Sequence, residues 1–402
     1  MQKSLEKFES LDRDIKVFLA GEALLALGMG IALLLLNLHL LGIGVGKGTI
    51  GLLVAVEAAA IALVAIPFGS LAGRLGRRYC LAGGTVLYGV SLFLATSSDL
   101  IVLFAGRILG GIGLGAMMTS EFAVVLHYCR TRRTETTVFS MVMASFTLFM
   151  GIGNLLGGFL PRWLGADLAG VLSPAPTPYQ YLIWIGGIVC MAAGASRLLL
   201  RWAPTLRREI PRKSERVGEK ILIFGGAAGL SGAMYGILGP FLNVVARIRF
   251  EAPTDAIGIM FTVASFALAA GSVLSPKIVE RFDEAKGVLA LGGVSSLLAL
   301  LMWWAPSFGP FAVLFWLRSL VNVMGLNLVE GGMHSAVADG QRALFAGYRT
   351  VGYQAGVMVA GKAAGLIMAA GNMGFLFPIL ALLALLVPVY FVFIVRPQTD
   401  LV

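Results

Sequence analysis

Hydrophobic residues in this chain form long runs separated by short polar segments, instead of alternating with polar positions. A helix needs about 20 apolar residues to cross a bilayer. The pattern therefore predicts an all-α polytopic membrane protein with twelve transmembrane helices. The predicted spans lie near 17–40, 49–69, 79–97, 100–122, 138–160, 179–198, 221–246, 256–276, 287–305, 309–334, 343–370 and 374–395.

Composition and charge narrow the class of protein. Of the 402 residues, 58% are hydrophobic and 13% are charged, whereas soluble proteins contain about 25% charged residues. A soluble globular fold is therefore excluded. The formal net charge of +10 comes mainly from arginine and lysine in alternate loops and in the tails, which is the pattern of cytoplasmic segments. We expect a multi-pass protein of the cell (inner) membrane with both termini cytoplasmic and no nucleic-acid partner.

Weak repeats relate the first six spans to the last six. Gly-Ser at 69–70 recurs at 271–272, and Leu-Phe-x-x-Arg ending at Arg107 recurs ending at Arg318. Duplicated halves are typical of transporters that bind their substrate between the halves. The predicted organisation is a cytoplasmic lead-in (1–16), an N-terminal six-helix bundle (17–198), a cytoplasmic central loop (199–220), a pseudo-symmetric C-terminal six-helix bundle (221–395) and a cytoplasmic tail (396–402).

Three motifs resemble those of a known family. The loop after the second span has the sequence GSLAGRLGRR (69–78), the fourth span contains RILGGIGLGA (107–116) and the fifth contains GNLLGG (153–158). They resemble the signature loop, the R-x-x-x-G-x-G-x-A pattern and the antiporter element G-P-x-x-G-G of the major facilitator superfamily. Gly73 stands where the loop usually has Asp, and Asn154 where the element usually has Pro. The resemblance implies a secondary transporter that works by alternating access.

The same resemblance assigns roles to individual residues, beside plainer interpretations. The loop residues would serve gating, or would only hold the topology through positive charge. Small residues in the fourth and fifth spans would let helix backbones approach closely. The gating or signature-loop residues are Gly69, Arg74, Gly76, Arg77 and Arg78, and the helix-packing residues are Gly113, Gly115, Gly153, Asn154, Gly157 and Gly158.

Polar residues inside the spans are the candidates for substrate binding. A charge at the centre of a membrane helix costs about 2.5–3.5 kcal/mol, so it usually faces a cavity or a partner. A structural or proton-coupling role is the alternative for Arg107, and pairing with an acid is the alternative for Lys362. Pro240 is expected to bend the seventh span, either at a functional hinge or as a simple packing kink. The predicted substrate-binding or cavity residues are Arg318, Asn322, Arg107, Lys362 and Tyr235.

Three residues are predicted to couple transport to protons: Glu57, Glu330 and His334. Glu57 lies near mid-membrane and either binds a proton or is the fixed partner of an arginine. Glu330 and His334 share one helix face and form either a proton relay or a solvated helix end. Glu22 and Glu121 are expected to be gate or topology charges.

The sequence favours transport over catalysis. It contains no His-Glu-x-x-His or Gly-x-Ser-x-Gly motif, so we expect no enzyme activity, no cofactor and no metal. The prediction is proton-coupled export (antiport) of a small amphipathic organic compound by a monomer surrounded by membrane lipid. Uptake or exchange of an organic anion bound by buried Arg and Lys is one alternative, and lipid transport on the same fold is another. A scaffold that has lost coupling, suggested by Gly73 alone, is the non-transport alternative.

Overall fold

The computed structural model describes residues 13–128, 132–163, 177–201, 217–281, 283–335 and 342–398, and in these ranges all regular structure is helical. The first half contains α1 (Arg13–Gly42), α2 (Lys47–Leu75), α3 (Arg77–Leu94), α4 (Leu100–Tyr128), α5 (Arg132–Trp163) and α6 (Pro178–Arg197). The second half contains α7a (Val217–Leu238), α7b (Leu242–Phe250), α8 (Thr254–Arg281), α9 (Glu284–Trp304), α10 (Phe308–Ser335), α11 (Arg342–Ala369) and α12 (Leu376–Tyr390).

The helices match the twelve predicted spans and confirm the predicted fold class. Eleven stretches of the described chain are long and apolar enough to cross a membrane. The remaining helix, α3, has 18 residues and begins with two arginines, Arg77 and Arg78. Several helices extend beyond the predicted spans at the end of the bundle where the described chain begins and ends; α5, for example, begins at Arg132 instead of 138.

Helix packing is duplicated between the two halves. In the first half, α1 packs on α5 and α6, α3 packs on α4 and α6, and α2 packs on α4. In the second half, α7a packs on α11 and α12, α9 packs on α10 and α12, and α8 packs on α10. Each pair in one half thus has a counterpart six helices later, which is the pseudo-symmetry expected from the sequence repeats.

The seventh span is interrupted where Pro240 was expected to bend it. The α-helix ends at Leu238, a 3₁₀ turn covers Gly239–Phe241, and α7b continues from Leu242. Proline lacks the backbone N–H that an α-helix requires. The interruption therefore falls at the residue least able to continue the helix, and it places an irregular backbone segment at the contact with α1.

The two halves contact each other closely near the end of the bundle that is opposite the first and last described residues. α2 meets α11 where a Cβ on Gly51 would lie 2.7 Å from the Cα of Gly365, and α5 meets α8 where a Cβ on Gly158 would lie 2.9 Å from the Cα of Gly258. Such backbone approaches require glycine. The described residues therefore form a closure between the halves at this opposite end.

Candidate functional site

An ion pair lies inside the N-terminal half, between α4 and α2. Arg107 Nη1 donates to Glu57 Oε2 at 2.6 Å, and the two side chains are 6% and 18% exposed. Gly110 lies one turn after Arg107, and Glu57 Oε1 is 3.5 Å from the position its Cβ would take. That distance is an ordinary van der Waals contact, so Gly110 packs beside the carboxylate. The pair is electrically neutral while both groups are charged.

The ion pair is connected to the other half of the molecule. Arg107 Nη2 donates to Asn37 Oδ1 at 3.2 Å, and Asn37 Nδ2 donates to the carbonyl of Pro240 at 2.5 Å. Pro240 lies in the interruption between α7a and α7b. A continuous hydrogen-bonded chain therefore runs from a titratable carboxylate, Glu57, to the closure between the two halves.

A second asparagine repeats this cross-half contact in the opposite direction. Asn243 Nδ2 donates to the carbonyl of Leu34 at 2.7 Å, and Asn243 is buried. Each asparagine bonds the carbonyl three residues before the other, so the two bonds are related by the pseudo-symmetry of the halves. Sequence analysis missed both residues. The available signal was an asparagine at corresponding places in spans one and seven.

The repeat mate of Arg107 has a different environment. Arg318 is 8% exposed, and its guanidinium has no ion pair or hydrogen bond among the described residues. The Nε atoms of both arginines are buried without a hydrogen-bond partner, so the two differ only at the terminal nitrogens. Asn322, one turn later, accepts a bond from Ser295 at 3.5 Å. Asn322 also lines a small cavity of about 20 Å³ inside the C-terminal half, together with Gly325. That volume suits a water-sized group.

The other two predicted binding residues lie on α11 and α7a. Tyr235 is half exposed, and its ring stacks on Tyr353 with 6.4 Å between centroids. Lys362 lies on an exposed face of α11 with Val359 and Leu366, which are 64% and 57% exposed. The three predicted cations thus occupy three environments: Arg107 is ion-paired, Arg318 is buried without a partner and Lys362 is exposed.

The second predicted coupling residue is also ion-paired. Arg349 of α11 donates to Glu330 of α10, and both side chains are about one-third exposed. This pair joins two helices of the C-terminal half. His334 belongs to α10, but its side chain lies outside the described residues.

A third charged cluster lies in the N-terminal half, nearer the chain termini. Arg197, at the last turn of α6, is fully buried and donates to Glu22 of α1 and Thr85 of α3. Glu121 interacts electrostatically with Glu22 and Arg197. Glu22 is thus buried inside the half. Sequence analysis missed Arg197, because an arginine at the end of a span fits the positive-inside pattern.

The signature loop is reduced to a single residue in this structure. α2 ends at Leu75, α3 begins at Arg77, and Gly76 between them has φ of +92°, which favours glycine. Arg78 Nη1 donates to the carbonyl of Leu200 at 2.5 Å and ties α3 to the chain beyond α6. Arg77 is half-buried, and the side chains at 69–74, including Gly69 and Arg74, are outside the described set.

The predicted packing residues lie at close helix crossings. A Cβ on Gly113 would lie 2.6 Å from the carbonyl oxygen of Gly84, so α3 and α4 need glycine there. Gly158 faces Gly258 at the contact between the halves. Cβ atoms would also meet neighbouring helices at Gly115, Gly153 and Gly157, and Asn154 is buried beside them.

Comparison with known proteins gives a family match. The model of the Major Facilitator Superfamily matches residues 18–225, which is more than half of the chain. A chloramphenicol resistance protein of Pseudomonas aeruginosa is 33% identical over 118 residues, 29% of this chain and 28% of that protein. The 4-hydroxybenzoate transporter PcaK of the same species is 33% identical over 147 residues, 32% of each chain. The matches therefore span less than a third of either relative.

Solved structures resemble the whole fold. The nucleoside transporter NupG superposes with a TM-score of 0.74 at 13% identity, over 95% of this chain and 98% of that one. A bacterial homologue of the lysosomal transporter Spinster, described as inward-facing and unoccupied, gives a TM-score of 0.70 at 13% identity, over 96% of each chain. At this identity the likeness concerns the fold alone.

Proposed function

The chain belongs to the major facilitator superfamily and is a multi-pass membrane transporter, and from that premise we propose that it is an antiporter that exports a small amphipathic organic compound in exchange for protons. In this proposal a monomer in the cell (inner) membrane performs the cycle with both termini in the cytoplasm. The closure described above then faces away from the cytoplasm, and the conformation corresponds to the inward-open state.

The observation that carries this proposal is the chain of polar contacts from Glu57 to Pro240. A proton on Glu57 removes the counter-charge of Arg107. Without that charge, the electrostatic attraction that holds Arg107 beside Glu57 is lost. The hydrogen bond from Arg107 to Asn37 then weakens, and Asn37 can release the Pro240 carbonyl. Protonation in the N-terminal half is thereby linked to the contact that holds the two halves together.

The relatives support the proposed type of solute and the proposed direction of transport. One relative is named for resistance to chloramphenicol, which fits export, and its name together with that of the 4-hydroxybenzoate transporter supports a small organic solute. The half-exposed Tyr235 stacked on Tyr353 offers both an aromatic surface and hydroxyl groups. Such a surface suits an amphipathic compound.

The test is proton flux in proteoliposomes that contain a pH-sensitive dye. Anionic, cationic and neutral amphiphiles are added in turn, and the solutes that change the internal pH are identified. The variant Glu57→Gln should lose proton-driven transport but retain exchange of solute for solute. A matched control is Glu251→Gln, because Glu251 is an exposed acid at the end of α7b.

Three results would change the proposal. Proton flux that persists in Glu57→Gln would remove Glu57 from the coupling mechanism. Loss of exchange as well as flux would make Glu57 a binding or structural residue. A folded wild-type protein that gives no flux with any solute would contradict proton-coupled export of these compounds and make lipid transport the next hypothesis to test.

A further inference from the structure

Arg318 is an exception among the buried arginines of the described chain. Arg107 pairs with Glu57, and Arg197 pairs with Glu22. Arg318 is also buried, at 8% exposed, yet within the described residues its guanidinium has no ion pair and no hydrogen bond. Its Nε lacks a hydrogen-bond partner, as do those of Arg107 and Arg197, so the difference lies in the missing partner for the terminal nitrogens. Leaving one charge of a buried pair without its partner costs about 3–5 kcal/mol, so a structural arginine at this depth is expected to have one.

We propose that Arg318 binds the carboxylate of an anionic solute, which supplies the missing negative charge. The inference rests on the proposed transport function and specifies the chemistry of its substrate. A guanidinium offers two parallel N–H groups that match the two oxygens of a carboxylate, and such pairs are stronger than neutral hydrogen bonds.

The neighbouring residues on α10 fit this assignment. Arg318, Asn322 and Gly325 share one helix face, because they are spaced by four and then three residues. Asn322 adds an amide that can donate to a second oxygen, and Gly325 adds no side chain. Asn322 and Gly325 also line a cavity of about 20 Å³, whose other described lining residues are mainly apolar and do not include Arg318. The cavity holds only a water-sized group, so we assign the carboxylate of the solute to Arg318 and place no other part of the solute in this cavity.

The pseudo-symmetry explains why this charge is left free. The first half places Glu57 and Asn37 around Arg107, and both are occupied by that arginine. In the second half the asparagine that corresponds to Asn37 is Asn243, whose Oδ1 already accepts from the backbone N–H of Val244. Arg318 has therefore kept the position of its mate without the partners.

The test measures binding to purified protein in detergent, without any gradient. Benzoate is the probe, and benzamide is its neutral analogue of the same shape. Benzoate should raise the thermal midpoint of the wild-type protein, whereas benzamide should not. Arg318→Gln should weaken benzoate binding by about 10- to 100-fold, the range for loss of a charged hydrogen bond. Arg318→Lys should retain part of the affinity, since it keeps the charge without the planar fork.

Arg162→Gln is the matched control, because Arg162 is 78% exposed and pairs with Asp255 on the surface. It should bind benzoate like the wild type. Wild-type affinity in a folded Arg318→Gln protein would overturn the proposal, and so would stabilisation by inorganic phosphate or chloride but not benzoate. No stabilisation of the wild type by benzoate would also overturn it.

The outcome is separable from that of the proton-flux experiment. Benzoate binding that depends on Arg318 in a protein without proton flux would support the anion site and refute proton coupling. Proton flux driven by neutral or cationic solutes, together with no binding of benzoate, would do the reverse. If Arg318→Gln does not fold, Arg318→Lys and the comparison of benzoate with benzamide on the wild-type protein decide the question.

Discussion

Arg107 and Arg318 occupy equivalent places in the two halves of the molecule and have opposite electrostatic environments. Arg107 is neutralised by Glu57 and bonded to Asn37. Arg318 is equally deep and has no described partner. The two halves therefore share the position of the arginine, but only the first half has an acidic partner for it among the described residues. The paired arginine suits a role in coupling, and the unpaired one suits binding of an anion.

The closure between the halves shows the contrary behaviour, because it is symmetric. Asn37 and Asn243 each bond the carbonyl three residues before the other. The contacts of α2 with α11 and of α5 with α8 are likewise related by the pseudo-symmetry. The contacts between the two halves are therefore symmetric, whereas the environments of the buried arginines inside each half are not.

The largest expected effect comes from breaking the compensated pair. Arg107→Gln leaves Glu57 buried without its cation, so we expect a loss of about 3–5 kcal/mol in the free energy of unfolding. The measurement is unfolding in detergent titrated with sodium dodecyl sulfate. The double variant Glu57→Gln/Arg107→Gln should recover a large part of the loss, because it leaves no single charge. A loss in the double variant equal to the sum of the two single losses would show that Glu57 and Arg107 do not stabilise each other.

Arg318 should respond in the opposite direction. Arg318→Met removes a buried charge that has no partner within the described chain, so it should leave the free energy of unfolding unchanged or raise it by about 1–3 kcal/mol. The same titration checks this, with Arg107→Gln as the comparison. A loss as large as that of Arg107→Gln would reveal a partner for Arg318 in the apo protein and would remove the difference between the halves.

Removing either of the two hydrogen bonds across the closure should have a smaller effect than Arg107→Gln, and one of similar size in each half. Asn37→Ala and Asn243→Ala each remove one interhelical hydrogen bond, which in membrane proteins contributes about 0.6 kcal/mol on average. Asn37→Ala should cost more, because it also removes an acceptor from Arg107. The readout is maleimide labelling of Val54→Cys in a protein without its native cysteines, since Val54 is buried in the closure against Gly361.

Labelling of Val54→Cys should be faster in both asparagine variants than in the otherwise unchanged protein. Ser231→Ala is a control, because its hydroxyl bonds only within α7a. Unchanged labelling in Asn243→Ala with faster labelling in Asn37→Ala would mean that the closure depends on one half alone. The apparent symmetry of the two bonds would then have no energetic counterpart.

The sequence was sufficient for the fold because membrane helices are specified by long apolar runs. The twelve spans and the interruption at Pro240 follow from local composition. The partner of Arg107 did not follow, because Glu57 lies fifty residues away on another helix and hydropathy contains no information on helix rotation. Sequence analysis therefore left both roles of Glu57 open and placed Arg107, Arg318 and Lys362 in one class that the structure divides.

The two asparagines and Arg197 were missed for related reasons. A single asparagine in an apolar run is compatible with many packing positions, and only the match between Asn37 and Asn243 distinguishes these two. Arg197 ends a span beside a basic loop, where positive-inside charges are ordinary. Its burial depends on Glu22 and Thr85, which come from two other helices.

The smallest change in stability is expected when an exposed ion pair is removed. This variant tests whether burial is the cause of the difference between Arg107 and Arg318. Arg396 donates two hydrogen bonds to Asp283 at 3.2 and 3.3 Å, outside the membrane spans. These bonds lower the pKa of Asp283 below its ordinary value of 3.8. A lowered pKa in the folded state means that the pair stabilises the protein above the unfolded pKa and that this is lost as the pH falls through the folded pKa.

Asp283→Asn removes this ion pair with little other disturbance, because Asp283 is the N-cap residue that precedes α9 and asparagine caps a helix as well as aspartate does. We expect a decrease of at most about 1 °C in the thermal midpoint at pH 7, since exposed pairs contribute little. The difference from the wild type should shrink below about pH 3.8 and disappear only once the pH is below the lowered pKa of Asp283 in the folded protein. A decrease as large as that of Arg107→Gln would mean that ion pairing stabilises this protein regardless of burial, and the unpaired state of Arg318 would then no longer indicate a ligand.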